Sequence, residues 1–210
     1  MYGVEDLLTR VARSLSRQKI PYMIIGGQAV LLYGAPRLTR DIDITLGLDT
    51  DAIESVLGLA AKMGLRLLHE KAKQFALETK VLPTEDPASG FRIDFVFSST
   101  PYERQAIQRA KRVRIKGTVV RFASLEDLII HKMFAGRAVD LEDVKGLLIQ
   151  NNKKIDLRYI RRWLRKFVKL PGKENCVATF DRILKRSLQF RSALTAVERK
   201  YDKTLKELSE

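Results

Sequence analysis

Three aspartates at two places in the chain carry the first chemical signal. Asp41 and Asp43 stand two apart in the segment Thr39 to Leu46, where Ile42, Ile44 and Leu46 alternate with Asp41, Asp43 and Thr45. Alternation of period two predicts a strand, so both carboxylates leave one face, about 7 Å apart along the backbone. Two carboxylates turned toward one point repel each other unless a cation lies between them, and an all-oxygen donor set suits Mg²⁺ or Mn²⁺. The alternative is a strand whose solvent face happens to be acidic. Asp94 sharpens the case, because it is the only acid in the apolar run Phe91 to Phe97. Phe91, Ile93, Phe95 and Phe97 take one side and Asp94 the other. A carboxylate in the middle of a central strand is costly unless paired or metal-bound. An edge strand in water, or an ion pair to Arg92 or another arginine, would satisfy it too. Beside Asp41 and Asp43, Asp94 completes a metal site suited to phosphoryl transfer, in which one or two ions clamp the attacking and leaving oxygens.

Gly26 and Gly27 close an apolar run, Tyr22 to Ile25, and open a short helix. Glycine lets backbone approach a bulky ligand, and N–H groups at a helix start point at anions. A triphosphate fits that chemistry; a tight strand-to-helix turn explains the pair as well.

The elements that must hold these residues follow from periodicity. Leu7, Leu8, Val11 and Leu15 predict a helix over 4–17. Tyr22 to Ile25 reads as a buried strand, Gln28 to Tyr33 as a short helix, and 51–63 as another helix. Leu65 to Leu68 and Phe75 to Val81 read as strands, and 82–90 as a loop containing proline. Residues 101–110 read as a helix, and Arg112 to Phe122 as a hairpin turning at Lys116-Gly117. Beyond Phe122 the strand signal ends. Ser124 and Asp127 resemble a capping box for a helix to about Gly136. Asp140 is expected to cap a second helix to about Gln150 and Asp156 a third, whose apolar stripe is Ile160, Trp163, Leu164 and Phe167. One or two helices run from about Glu174. An α/β half, 1–122, thus precedes an all-helical half, 123–210.

Composition narrows the function classes. The chain has 210 residues, 45% of them apolar and 30% charged, a globular balance. Cys176 is the only cysteine and there are two histidines, which disfavours disulfides, zinc, heme and cysteine-protease chemistry. No apolar run approaches the roughly 20 residues of a membrane helix, and the first residues lack a signal-peptide layout. The expectation is a cytoplasmic protein with no membrane association. The net charge is +14, and residues 151–191 alone carry 13 basic and 3 acidic side chains. Such a local excess attracts polyanions, or keeps a basic protein soluble. Arg158, Arg162, Arg165 and Lys169 fall on one helical face opposite the apolar stripe, as a nucleic-acid contact or as a solvated surface.

The joint spacing of Gly26-Gly27, Asp41-Ile42-Asp43 and Asp94 resembles the nucleotidyltransferase superfamily of DNA polymerase beta. Ile25-Gly26-Gly27-Gln28-Ala29, Arg37-Leu38-Thr39-Arg40-Asp41-Ile42-Asp43, and Ser124 to Leu128 followed by Lys132, Arg137, Asp140 and Asp143 are similar to its AbiEii-type toxin branch. The likeness covers about residues 20–145, and the chain is short for that branch. It implies a polymerase-beta-like core, a mixed sheet flanked by helices, followed by a C-terminal helical region. It implies an enzyme moving an NMP group from an NTP to a hydroxyl acceptor, with RNA or tRNA as a candidate acceptor and an antitoxin protein as a candidate partner. Gly26 and Gly27 would hold nucleotide phosphates. Asp41 and Asp43 would bind Mg²⁺ or Mn²⁺, and Asp94 a second ion or the acceptor proton. Lys132 would contact the triphosphate, where a flexible point charge suits a moving phosphate. Arg137, Asp140 and Asp143 would shape the site or form an ion-paired turn, and an exposed Lys132 is the plain expectation for its helix. Arg37 and Arg40 would neutralise phosphate or the carboxylates. The competing functions are a catalytically silent module that binds RNA or protein through residues 153–169, and a glycosyltransferase using Asp-Ile-Asp for a sugar nucleotide.

Overall fold

A computed structural model describes residues 3–35, 38–98, 100–151 and 155–207. The chain forms two compact units, Met1–Leu32 with Pro36–Leu128, and Tyr33–Ala35 with Ile129–Glu210.

The first unit is built on seven strands. They are β1 (Tyr22–Ile25), β2 (Asp41–Leu46), β3 (Arg66–Leu67), β4 (Val81–Asp86), β5 (Phe91–Phe97), β6 (Lys111–Ile115) and β7 (Thr118–Phe122). Their spatial order is β3-β4-β5-β2-β1-β7-β6. The sheet is mixed: β2 runs parallel to β5 and β1 parallel to β7, while β1–β2, β3–β4, β4–β5 and β6–β7 are antiparallel. Helices α1 (Val4–Arg17), α2 (Gly26–Leu32), α3 (Ile53–Lys62), α4 (Ala72–Thr79) and α5 (Pro101–Gln108) flank it. The core side of the sheet is continuous: Ile24, Ile42, Ile44, Ile93 and Phe95 are wholly buried, as are Leu7, Val11 and Leu15 of α1. Each such side chain contributes roughly 1.5–3 kcal/mol, so this face dictates register. A one-residue slip of β2 would expose Ile42 and Ile44 and bury Asp41 and Asp43.

Two expectations fail between residues 72 and 90. Phe75 to Thr79 is helical, not extended. Ala72 and Ala76, four apart, both bury, and Lys80 ends the helix with φ 60°. The segment expected as a loop is instead β4, which carries Pro83. Proline lacks an N–H. The Pro83 carbonyl accepts from Leu68 on the outer side of β4, where β3 is only two residues long. The missing donor therefore breaks no long ladder.

The second unit is helical: the end of α6 (Leu125–Ala135), then α7 (Ala138–Asn151), α8 (Leu157–Phe167) and α9 (Cys176–Glu207). Ser124 and Asp127 close the start of α6 reciprocally, through Asp127 N–H to Ser124 Oγ at 3.1 Å and Ser124 Oγ–H to Asp127 Oδ2 at 2.6 Å. Asp156 caps α8 through the Tyr159 amide at 2.9 Å. Asp140 is not a cap, because α7 starts at Ala138 and places Asp140 inside the first turn.

Candidate active site

Strand register brings the three acids to one face. Asp43 of β2 stands beside Asp94 of β5 in a parallel pair, and Asp41 stands beside Arg92. Registered neighbours share a face, as do residues two apart on one strand, so Asp41, Asp43, Arg92 and Asp94 all project to the same side. Ile42, Ile93 and Phe95 fill the other. β5 lies between β4 and β2, which rules out an edge strand for Asp94. Its side chain is only 15% exposed and accepts from Arg92 Nε at 2.8 Å.

Arg92 ties the cluster together. The Asp94 hydrogen bond holds its guanidinium above the usual range; partial burial opposes this, and the charges of Asp94, Asp41 and Asp43 add to it. One cation thus answers three carboxylates. Sequence reasoning treated Arg92 only as a local partner for Asp94. The signal for its wider role was its own position: two residues before Asp94 on one strand, it shares the acidic face.

Gly26 completes the setting. Its φ is +66°, a conformation glycine adopts freely and other residues resist. A Cβ there would overlap the Asp43 carboxylate, which β1–β2 pairing sets opposite Ile25. A Cβ on Gly27 would come within 2.5 Å of Thr39 Oγ1. The two glycines therefore make room for the acidic strand and the segment leading into it. Gln28 Nε2 donates to the Asp41 carbonyl at 3.5 Å, and Thr39 Oγ1 accepts from the Asp41 amide at 3.4 Å. Gly26→Ala is expected to lower stability by about 1–2 kcal/mol for the left-handed backbone and to push Asp43 aside. Thermal denaturation would read the first effect. Arg40 is exposed and makes no ion pair among the described residues. Arg37 lies outside them.

As they stand, no three His, Cys, Asp or Glu side chains among the described residues form a group that could hold a metal ion. The donors suit a hard divalent cation in kind, being three carboxylates on one sheet face, two of them in register. Arg92 is what Asp94 would have to release.

The second unit holds its own ionic cluster. Lys132 Nζ is 2.8 Å from Asp140 Oδ1 and 2.8 Å from Asp143 Oδ2. Arg137 Nε is 2.6 Å from Asp140 Oδ2. Lys132 is 5% exposed and Asp140 1%, so the expected surface lysine is a buried one. Burial pushes the Asp140 carboxyl up, but hydrogen bonds and charge from Arg137 and Lys132 outweigh it and hold the group below the usual carboxylate range. The cluster links α6 to α7. On α8, Tyr159, Ile160, Trp163 and Leu164 bury while Arg158, Arg162 and Arg165 are exposed. Lys169 is exposed too, but lies beyond the helix end at Phe167. Lys166 sits 4.2 Å over the Trp163 ring, so the aromatic face is both packed and cation-covered.

Comparison with known proteins agrees with this architecture. Residues 4–175 match the profile of a family described as a nucleotidyltransferase of unknown function (DUF6036). No curated protein matches the chain by sequence. Among solved structures, the chain is similar to an antigenic nucleotidyltransferase-like protein from Paracoccidioides brasiliensis, with a TM-score of 0.52 at 17% identity over 91% of this chain and 90% of that one. It also aligns with the antibiotic-resistance factor ANT(2'')-Ia, with a TM-score of 0.47 at 16% identity over 95% of this chain and 97% of that one. The fold is a polymerase-beta-like nucleotidyltransferase core, a mixed sheet flanked by helices, followed by a helical region.

Proposed function

The chain belongs to the family of nucleotidyltransferases of unknown function (DUF6036), and from that membership we propose that it moves a nucleoside monophosphate from an NTP to a hydroxyl acceptor and releases pyrophosphate. One observation carries the reading. Asp43 and Asp94 stand in register on neighbouring parallel strands, with Asp41 on the same face and a side-chain-free Gly26 against Asp43.

Asp41, Asp43 and Asp94 would hold Mg²⁺ or Mn²⁺, which when bound supplies positive charge to the phosphate oxygens. The remaining work belongs to the chain. Gly26 and Gly27 offer backbone N–H groups to the phosphates, and Arg40 adds charge from solvent. Asp94 accepts the proton of the acceptor hydroxyl as its oxygen attacks the α-phosphorus in line. Catalysis by such a site is mainly positioning and charge stabilisation. Lys132 is committed to Asp140 and Asp143, so we assign it to holding α6 against α7. Arg137, 72% exposed beside Asp140, is assigned to contacting a phosphate. Arg158, Arg162, Arg165 and Lys169 are assigned to a polyanionic partner such as RNA. The AbiEii-type kinship, an antitoxin partner and a cytoplasmic location rest on the sequence resemblance and composition and belong to this proposal. No helix among the described residues is long and apolar enough to cross a membrane.

A second reading is favoured by Arg92, which offsets part of the acidic charge from within the chain. In it the protein is a silent module gripping RNA or protein through residues 153–169, of which 153 and 154 lie outside the described residues. Incubation with each of the four α-labelled NTPs and total cellular RNA, in Mg²⁺ or Mn²⁺, separates the two. Transfer of label to an acceptor is expected. No label on any acceptor, with no Mg²⁺-dependent nucleotide heat in calorimetry, would leave the silent module.

A further inference from the structure

The hairpin β6–β7 carries an unbalanced ladder of arginines. Arg112 pairs directly with Arg121, and Arg114 with Val119. Partners in an antiparallel pair share a face, so Arg112, Arg114 and Arg121 project together. All three are exposed, and none makes an ion pair or a side-chain hydrogen bond among the described residues. The reverse face is spoken for: Val120 and Phe122 are buried, and Thr118 Oγ1 accepts from Arg13 of α1 at 2.9 Å.

Like charges placed directly opposite destabilise a strand pair. Several other cations of this unit are matched: Arg10 with Asp86, Arg66 with Glu85, Arg109 with Glu126 and Asp127, and Lys116 with Asp6. The hairpin sets three arginines without such a match on one face.

Its position gives it meaning. Ile24 is registered with Phe122, so Ile25 and Arg121, each one residue away, lie on the opposite face. Ile25 is registered with Asp43. The arginines therefore occupy the sheet face that carries Asp41, Asp43 and Asp94. Strand β7 lies two strands from β2 and β6 three, about 10 and 14 Å at about 4.8 Å per strand.

We infer that this ladder binds the phosphate backbone of a single-stranded nucleic acid. The inference deepens the transfer reading by naming the acceptor's class, and in that respect rests on it. Guanidinium forks match phosphate oxygens two at a time. Arg112 and Arg114 repeat about 7 Å apart along their strand, comparable to successive phosphates of an extended strand. A protein partner would need an apolar centre, and only half-buried Val119 interleaves here. A polyelectrolyte needs none, since release of its counterions drives binding.

The test is fluorescence anisotropy of the full chain with a labelled single-stranded oligoribonucleotide of about twelve nucleotides, over a salt series without NTP or divalent cation. Omitting both keeps this outcome separate from the transfer assay, because binding reports the ladder and label transfer reports the acids. The combined Arg112→Ala, Arg114→Ala, Arg121→Ala protein is expected to lose about 2 from the slope of log K against log salt. At about 0.7 per phosphate contact, that is about 100-fold in affinity at 0.1 M salt. Arg→Lys changes at the same three positions should keep the slope. Arg112→Glu converts the repelling pair to an attracting one, so it should fold at least as well and still bind weakly. Wild-type affinity and slope in the alanine or Arg112→Glu protein would overturn the inference. So would a glutamate homopeptide of equal length competing as well as the oligonucleotide, since that outcome assigns the face to an acidic polypeptide.

Discussion

Asp94→Asn is expected to fold like the wild type and to transfer nucleotide about a thousandfold more slowly, the scale on which loss of one preorganised electrostatic group acts. Asp41→Asn and Asp43→Asn should fall similarly. Three carboxylates share one sheet face with a single guanidinium between them. Removing one relieves repulsion and, at position 94, gives up a partly exposed pair with Arg92 worth about 1 kcal/mol or less. Stability should therefore stay nearly level while turnover collapses. If the acids serve only to neutralise Arg92, the opposite pattern appears, with lower stability and unchanged transfer. Single-turnover rates beside urea denaturation distinguish the two, and because these residues act as a unit, the double Asp43→Asn, Asp94→Asn protein should be little worse than either alone.

Lys132→Met should have the largest effect on stability. The lysine is buried between Asp140 and Asp143 at 2.8 Å from each. Removing one partner from a buried ionic group strands the rest and destabilises by about 3–5 kcal/mol. Trp163 is the only tryptophan and lies buried in α8, so its fluorescence during urea unfolding reports the second unit selectively. The pH dependence gives the sign. In the wild type Asp140 sits below its usual range, so its contribution is complete above the ordinary carboxylate range and lost as pH falls through the depressed value. In Lys132→Met, Asp140 keeps Arg137 but loses the hydrogen bond and charge of the lysine, so its carboxyl moves up from the depressed position. The penalty is greatest at neutral pH and fades on acidification, so the gap between variant and wild type should narrow as pH drops through the carboxylate range. A gap that stays constant with pH would mean lost packing rather than lost charge.

Much of this was legible in the residues. The alternation in Asp41–Leu46 and Phe91–Phe97 and the turn at Lys116-Gly117 translate directly into β2, β5 and the β6–β7 hairpin. The amphipathic stripe and Asp156 do the same for α8. Residues 72–90 were misread because their cues are ambiguous: a short apolar stretch suits either a strand or a small buried helix, and Pro83 signals a loop unless its strand faces a truncated neighbour. The burial of Lys132 was not legible because helix periodicity says nothing about what a neighbouring helix brings. Asp140 and Asp143 come from the next helix, and only their packing buries the lysine.

Local sequence by itself determined that Asp41 and Asp43 share a face, that Asp94 opposes an apolar stripe, and that two glycines end the preceding strand. These follow from backbone geometry over a few residues. Only tertiary structure decided that β5 lies beside β2 in the register that sets Asp94 next to Asp43. It alone put Arg92 among all three acids, filled the space above Gly26 with the Asp43 carboxylate, and left an arginine ladder on the same face. Pairing between segments some fifty residues apart is chosen by burial of Ile42, Ile44, Ile93 and Phe95 together, a collective property that no single segment carries.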